Sequence, residues 1–215
     1  MPMKIDDRVE PPADCPLCPR LVAYRQANQD ANPEWFNGPV PCFGPLNARL
    51  AVVGMAPGVR GANRTGRPFT GDYAGVLLYE TLIKFGLAQG QYDARIDDGL
   101  SLVDTRIVNA VRCVPPANLP TPAEVRTCNQ FLSAELAGLP KVRVILALGV
   151  LAHAATVRAA GIPPSRIKFK HGQMLDLPNG WVLANSYHVS RYNTNTGVLT
   201  TQMFENVVAE IVRRL

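Results

Sequence analysis

Cys15 and Cys18 form a Cys-x-x-Cys pair with Pro16 inside it and Pro19 just after it, and Cys113 and Cys128 form a second, wider pair far along the chain. Two local pairs can become one four-thiolate site, which suits tetrahedral zinc or a [4Fe–4S] cluster. The second pair is not a tight knuckle, so spacing alone admits either. Cys42, between Pro41 and Phe43, is left without a partner and reads as a structural thiol. Five cysteines is an odd count, which argues against a disulfide framework and puts metal ligation first.

A second set of chemistry-bearing residues is concentrated between Gly54 and Asp72. This stretch contains five glycines and three arginines, Arg60, Arg64 and Arg67. Glycines let backbone approach a ligand closely, and the arginines present cations to phosphate. The pattern is neither GxxxxGK[ST] nor GxGxxG, so a nucleotide cofactor loses weight. Phe69 anchors the loop or offers a flat surface to a nucleobase. Asp72 precedes a helical pattern, as an N-cap would. His153 and His171 read as structural. Arg166, Lys168 and Lys170 alternate with Ile167 and Phe169, so a strand there would put three cations on one face. That face is either a DNA-facing edge or a charged edge that discourages aggregation.

These residues need a frame to bring them together. Residues 49–54, 105–111, 142–149 and 181–188 are short apolar runs rich in Val, Ile and Leu, as strands buried on both faces should be. Helical patterns cover residues 74–85, 122–136 and 150–160, each followed by glycine as a C-cap: Gly86, Gly138 and Gly161. Thr121, Pro122 and Glu124 form a capping box, and an amphipathic helix over residues 200–213 closes the pattern. The expected fold is a three-layer α/β/α sandwich around a four-stranded, mainly parallel sheet. Ligands of such sheets bind beyond the carboxyl ends of the strands. The residues leaving those ends are Gly54-Met55-Ala56-Pro57-Gly58, Asn109, Gly149 and His188.

Of the 215 residues 47% are hydrophobic and 18% charged, which fits one domain spanning residues 1–215, its Cys-x-x-Cys segment contributing to the metal site. No apolar run approaches the roughly 20 residues of a membrane span, and the first ten residues lack a targeting pattern. A soluble, cytoplasmic, monomeric protein is expected. A net charge of +5 suits a polyanionic partner without proving one.

The first strand-end motif, residues 65–72, Asn109 ahead of Cys113, and His188-Val189-Ser190-Arg191-Tyr192-Asn193 together resemble the iron–sulfur branch of the uracil-DNA glycosylase superfamily, and within it family 5, the B-type enzymes. The resemblance runs from Cys15 to about Thr200. It implies that Cys15, Cys18, Cys113 and Cys128 hold a structural [4Fe–4S] cluster, and that the chain flips uracil out of DNA and excises it in base excision repair, leaving an abasic site. Hypoxanthine and etheno-adducts are further candidate substrates, and a nucleoid-associated location follows. Met55 and Ala56 stand where most of the superfamily carries an acid or amide, an absence the B-type branch shares. The implied base pocket is Gly54, Met55, Ala56, Pro57, Gly58 and Phe69. Asn109 would read the base edge, His188 stabilise the leaving base, and Asp72 stabilise the sugar cation or position water. Arg60, Arg64, Arg67, Ser190, Arg191, Tyr192 and Asn193 would contact DNA, with Tyr192 as a wedge. No arginine-rich insertion ending in a nucleophilic histidine is present. The alternative is an iron–sulfur or zinc-stapled nucleic-acid-binding or redox protein without glycosylase activity.

Overall fold

The computed structural model describes residues 10–215, so the reading of the extreme amino terminus falls outside the described residues. In chain order the elements are α1 (Pro19–Ala31), β1 (Leu50–Gly54), α2 (Ala62–Thr65), α3 (Tyr73–Lys84), β2 (Ala88–Gln89), β3 (Ser101–Leu102), β4 (Thr105–Asn109), α4 (Pro122–Gly138), β5 (Val144–Leu148), α5 (Val150–Ala159), β6 (Met174–Asp176), β7 (Val182–Ser186), α6 (Arg191–Asn195) and α7 (Thr201–Val212). The central sheet runs β4-β1-β5-β7-β6, parallel except at the β6 edge, where β6 pairs antiparallel with β7. It therefore has five strands rather than the expected four. The extra strand is three residues long, too short to leave a run of its own in the sequence.

Every residue of β1 and β5 is buried, which is why both read as continuous apolar runs instead of alternating ones. Their side chains divide with period two. Leu50, Val52, Val144, Leu146 and Leu148 face one core with Leu78 and Leu82 of α3 and Phe204, Val208 and Ile211 of α7. Ala51, Val53, Ile145 and Ala147 face the other with Leu21 of α1, Leu132 and Leu136 of α4 and Ala155 of α5. Helices thus cover both faces, completing the three-layer arrangement. Among the described residues no helix is long and apolar enough to cross a membrane.

The local signals hold with one exception among the glycines. Thr121 and Glu124 form the capping box reciprocally, and Gly86 and Gly161 adopt left-handed φ of +74° and +77°. Gly138 does not: it lies inside α4, and the cap falls on Leu139. The next residue is Pro140, which drives the residue before it out of helical backbone and ends the helix without a glycine.

No strand forms where Arg166, Lys168 and Lys170 alternate with Ile167 and Phe169. Residues 164–166 form a 3-10 turn and residues 167–170 join no ladder; the Ile167 carbonyl accepts from His153 Nε2 at 2.9 Å. Arg166, Lys168 and Lys170 are nevertheless exposed and Ile167 and Phe169 half-buried, so the alternation survives without the strand. His153 is buried, with Nδ1 2.9 Å from the Asn185 amide, and His171 stacks on Tyr187 and accepts its backbone N–H. Both serve the structure, as expected.

Candidate active site

A cleft of about 460 Å³ opens at the carboxyl ends of the parallel strands. Met55, Ala56 and Gly58 leave β1 on one side, His188 and Ser190 leave β7, and Asp72 enters α3 between them. The sheet topology places these residues together, since parallel strands send all their carboxyl ends to one edge.

Asp72 both caps a helix and lines the cleft. It is the N-cap of α3, in extended backbone, its carboxylate accepting the Ala74 N–H at 3.2 Å. Space for that carboxylate comes from Gly61, where a Cβ would lie 2.2 Å from Asp72 Oδ2. Burial pushes the Asp72 carboxyl above its ordinary value, while the N–H groups of Ala74 and Gly75 pull it back without overcoming the shift. Across the cleft, burial alone pushes the His188 imidazole below its ordinary value, which favours its neutral form. Its backbone is fixed by Asn193, whose Nδ2 donates to the His188 carbonyl at 2.8 Å.

Behind these two lies an inner layer. The Phe69 ring, 7% exposed, sits 6.2 Å from the His188 ring and tilted 31° to it. Asn109, at the end of β4, is in register with Gly54 and only 3% exposed. Gly54 makes this layer possible. A Cβ there would lie 2.4 Å from Asn109 Oδ1 and 2.7 Å from the Phe69 ring, closer than real contacts allow. Phe69 itself has a φ of +52°, a backbone conformation that is costly without glycine and is imposed here by its surroundings. Tyr79 donates to the Pro68 carbonyl at 2.6 Å and Tyr92 to the Phe69 carbonyl at 3.0 Å.

The three arginines of the loop part company. Arg60 and Arg64 are exposed, as a phosphate-facing role requires. Arg67 is not: it is 4% exposed, reaches Asp98 through both terminal nitrogens at 2.9 and 2.7 Å, and donates through Nε to Thr70. Burial works against the Asp98 charge. The Arg67 hydrogen bonds and the N–H groups of Asp93 and Leu100 outweigh it and hold the carboxyl well below the usual range. The expectation that Arg67 contacts DNA is therefore corrected: its guanidinium is committed to anchoring the loop. Beyond β7, Ser190 caps α6 by accepting the Asn193 N–H, Arg191 lies over the Tyr73 ring at 5.7 Å, and Tyr192 is 73% exposed. The cleft residues that carried no site expectation include Val150 at the start of α5 and Asn118 in the loop after β4. Both follow a strand's carboxyl end, which is the signal that could have found them.

All four paired cysteines line one small cavity, with Leu21, Val111 and Phe131 around them. Cys15 precedes α1, Cys18 caps it, Cys113 follows β4 and Cys128 lies in α4. Among the described residues no three of their sulfurs lie within 4.8 Å of one another. A single zinc ion would hold tetrahedral sulfurs roughly 3.8 Å apart, so the set is wider than one ion wants. Burial pushes the Cys113 thiol up and Cys128 up to about 12, so their thiolates need compensation. Arg25, buried in α1, supplies some by donating to Cys113 Sγ at 3.3 Å. The donor set and its cations fit a thiolate-ligated cluster. A different group, Glu10, Cys42 and Glu135, also has its ligand atoms within 4.8 Å. Arg112 binds Glu10 and Cys42 and Arg106 binds Glu135, so guanidiniums already fill the place of a metal cation. Cys42 Sγ accepts from Arg112 at 3.0 Å.

The α/β/α frame thus brings a half-buried carboxylate and an imidazole to one cleft at its strand ends, with an aromatic ring packed behind them. Residues 41–212 match the family model of the uracil DNA glycosylase superfamily, and the chain belongs to that superfamily. It is 46% identical to the type-5 uracil-DNA glycosylase of Thermus thermophilus, over 93% of both chains. It is 40% identical to the type-5 uracil-DNA glycosylase of Pyrobaculum aerophilum, over 97% of this chain and 91% of that one, and 39% identical to that of Mycobacterium bovis, over 91% and 76%.

Proposed function

We propose that this chain is a monofunctional DNA glycosylase that removes uracil, and further deaminated bases such as hypoxanthine, from DNA and leaves an intact abasic site. The observation that carries the reading is the pairing of Asp72 and His188 on one cleft, with Phe69 and Asn109 packed behind Gly54. In duplex DNA the glycosidic bond is inaccessible, so the nucleotide must rotate out, at a cost of a few kcal/mol. Phe69 would stack on the extruded base, and Asn109, which can donate and accept, would read its polar edge. Cleavage leaves the bonding electron pair on the base and positive charge on the sugar, to which water then adds. Neutral His188 donates a ring N–H to the departing base. Ionised Asp72 stabilises the sugar cation or positions the water; Met55 and Ala56 offer no group for either task. Arg60, Arg64, Ser190, Arg191, Tyr192 and Asn193 serve the DNA backbone, and the protein acts as a monomer.

Cys15, Cys18, Cys113 and Cys128 would hold a [4Fe–4S] cluster, a reading supported by their shared cavity and wide spacing. When bound, such a cluster cross-links α1, the loop after β4 and α4, and it is not needed for the excision chemistry. The test is single-turnover release of uracil from DNA, followed by alkaline cleavage of abasic sites. His188→Ala should slow release roughly 10²-fold or more while DNA binding persists. Full activity in that variant, or a covalent adduct trapped by borohydride, would overturn the mechanism.

A further inference from the structure

The loop between Cys113 and α4 is built as a stiff projection. Pro115, Pro116 and Pro120 fix three of its φ angles, and Ala117 and Asn118 hold left-handed φ of +54° and +55° without being glycine. Asn118 lines the cleft beside Ser190 and Arg191. The next side chain, Leu119, is 65% exposed. Its backbone is tethered: Arg20 Nη2 donates to the Leu119 carbonyl at 3.1 Å, and the same guanidinium grips Glu124 at 2.8 and 2.7 Å. An exposed leucine on a pliant loop calls for no explanation. A leucine held out on a proline-locked, tethered loop at the lip of a cleft does.

We propose that Leu119 is an intercalating wedge that fills the base stack when the target nucleotide leaves a duplex. The proposal rests on the glycosylase reading and adds a second apolar element to Tyr192, borne on a different strand-end loop of the same cleft. Its chemistry is that of apolar side chains inserted between base steps, which need rigidity because a floppy side chain yields before the stack does. Arg20 is the positioning residue. Its contacts hold the Leu119 carbonyl to the first turn of α4.

The test compares uracil release from duplex and single-stranded oligonucleotides, with 2-aminopurine beside the uracil to report unstacking. Leu119→Ala should lower single-turnover release from duplex about tenfold and weaken the 2-aminopurine rise, while release from the single strand, which has no stack to open, stays at the wild-type rate. Arg20→Gln should move both duplex readouts in the same direction by less. Unchanged duplex release and fluorescence in Leu119→Ala would overturn the wedge, as would an equal loss on both substrates. Wild-type protein that releases uracil from neither substrate would instead overturn the glycosylase reading and the wedge with it.

Discussion

Replacing Asp72 by asparagine separates what this side chain does for the fold from what it does for the reaction. Asparagine caps helices about as well as aspartate, so the bond to the Ala74 N–H survives in Asp72→Asn. Alanine removes it, at about 1 kcal/mol, which in a chain of this length lowers Tm by roughly 2–4 °C. The charge acts oppositely. Because burial raises the Asp72 pKa, the folded protein holds that proton more tightly than the unfolded chain. Its stabilising effect is then complete below the ordinary carboxylate pKa of about 3.9 and is lost as pH rises through the higher folded value. At pH 7 any ionised form of this carboxylate is a net cost to the fold. Asp72→Asn should melt at or above the wild-type temperature there, with the gap closing as pH falls, whereas Asp72→Ala melts lower. Single-turnover uracil release should fall about 10²-fold in Asp72→Asn, the scale of one preorganised electrostatic group, and the acid limb of the wild-type rate profile should flatten. Calorimetry across pH together with quenched-flow release checks both halves. Wild-type release by Asp72→Asn, or melting as low as Asp72→Ala, refutes the reasoning.

Arg60→Ala, Arg64→Ala and Arg191→Ala should each lower the slope of log binding constant against log salt by about 1. Arg67→Ala should leave the slope alone and destabilise by about 3–5 kcal/mol in denaturant titration, since it strands the buried Asp98 charge. Protein purified without oxygen should be brown and contain iron, and serine at Cys15, Cys18, Cys113 or Cys128 should bleach it while Cys42→Ser does not; stoichiometric zinc in place of iron would sink the cluster assignment. Gly54→Ala should abolish uracil release with a stability loss of about 1–3 kcal/mol, because the added methyl overlaps Asn109 and Phe69; a variant that retains wild-type release would show that this inner layer is not the base pocket.

The parallel strands were legible because burial on both faces turns them into unbroken apolar runs, and their carboxyl ends pointed to the cleft before any contact was known. Asp72 was legible as a cap before Tyr73, and its place in the cleft as the carboxylate of the glycine-rich segment. Helix α1 was not. Its buried positions are Leu21, Arg25 and Asn28, so its inner face is largely polar and leaves no apolar stripe to read. Arg67 was misread for a related reason. Three arginines in one loop look alike locally, and what sets this one apart is Asp98, 31 residues away. Asn118 and Leu119 went unassigned because proline and left-handed backbone leave no periodicity.

The Arg67–Asp98 pair has a bearing on how lesions are searched for. It fastens the segment carrying Phe69 to a distant loop, and the guanidinium also lies over Phe43 and Tyr79, at 5.4 and 5.8 Å. With Thr70 fully buried and the Pro68 and Phe69 carbonyls both engaged, the segment has no slack with which to mould itself around a guest. Its shape is settled when the chain folds, before any nucleic acid arrives. On the glycosylase reading proposed above, discrimination at this segment works by rejection: the motion belongs to the DNA, and a base that swings out either matches a finished surface or falls back.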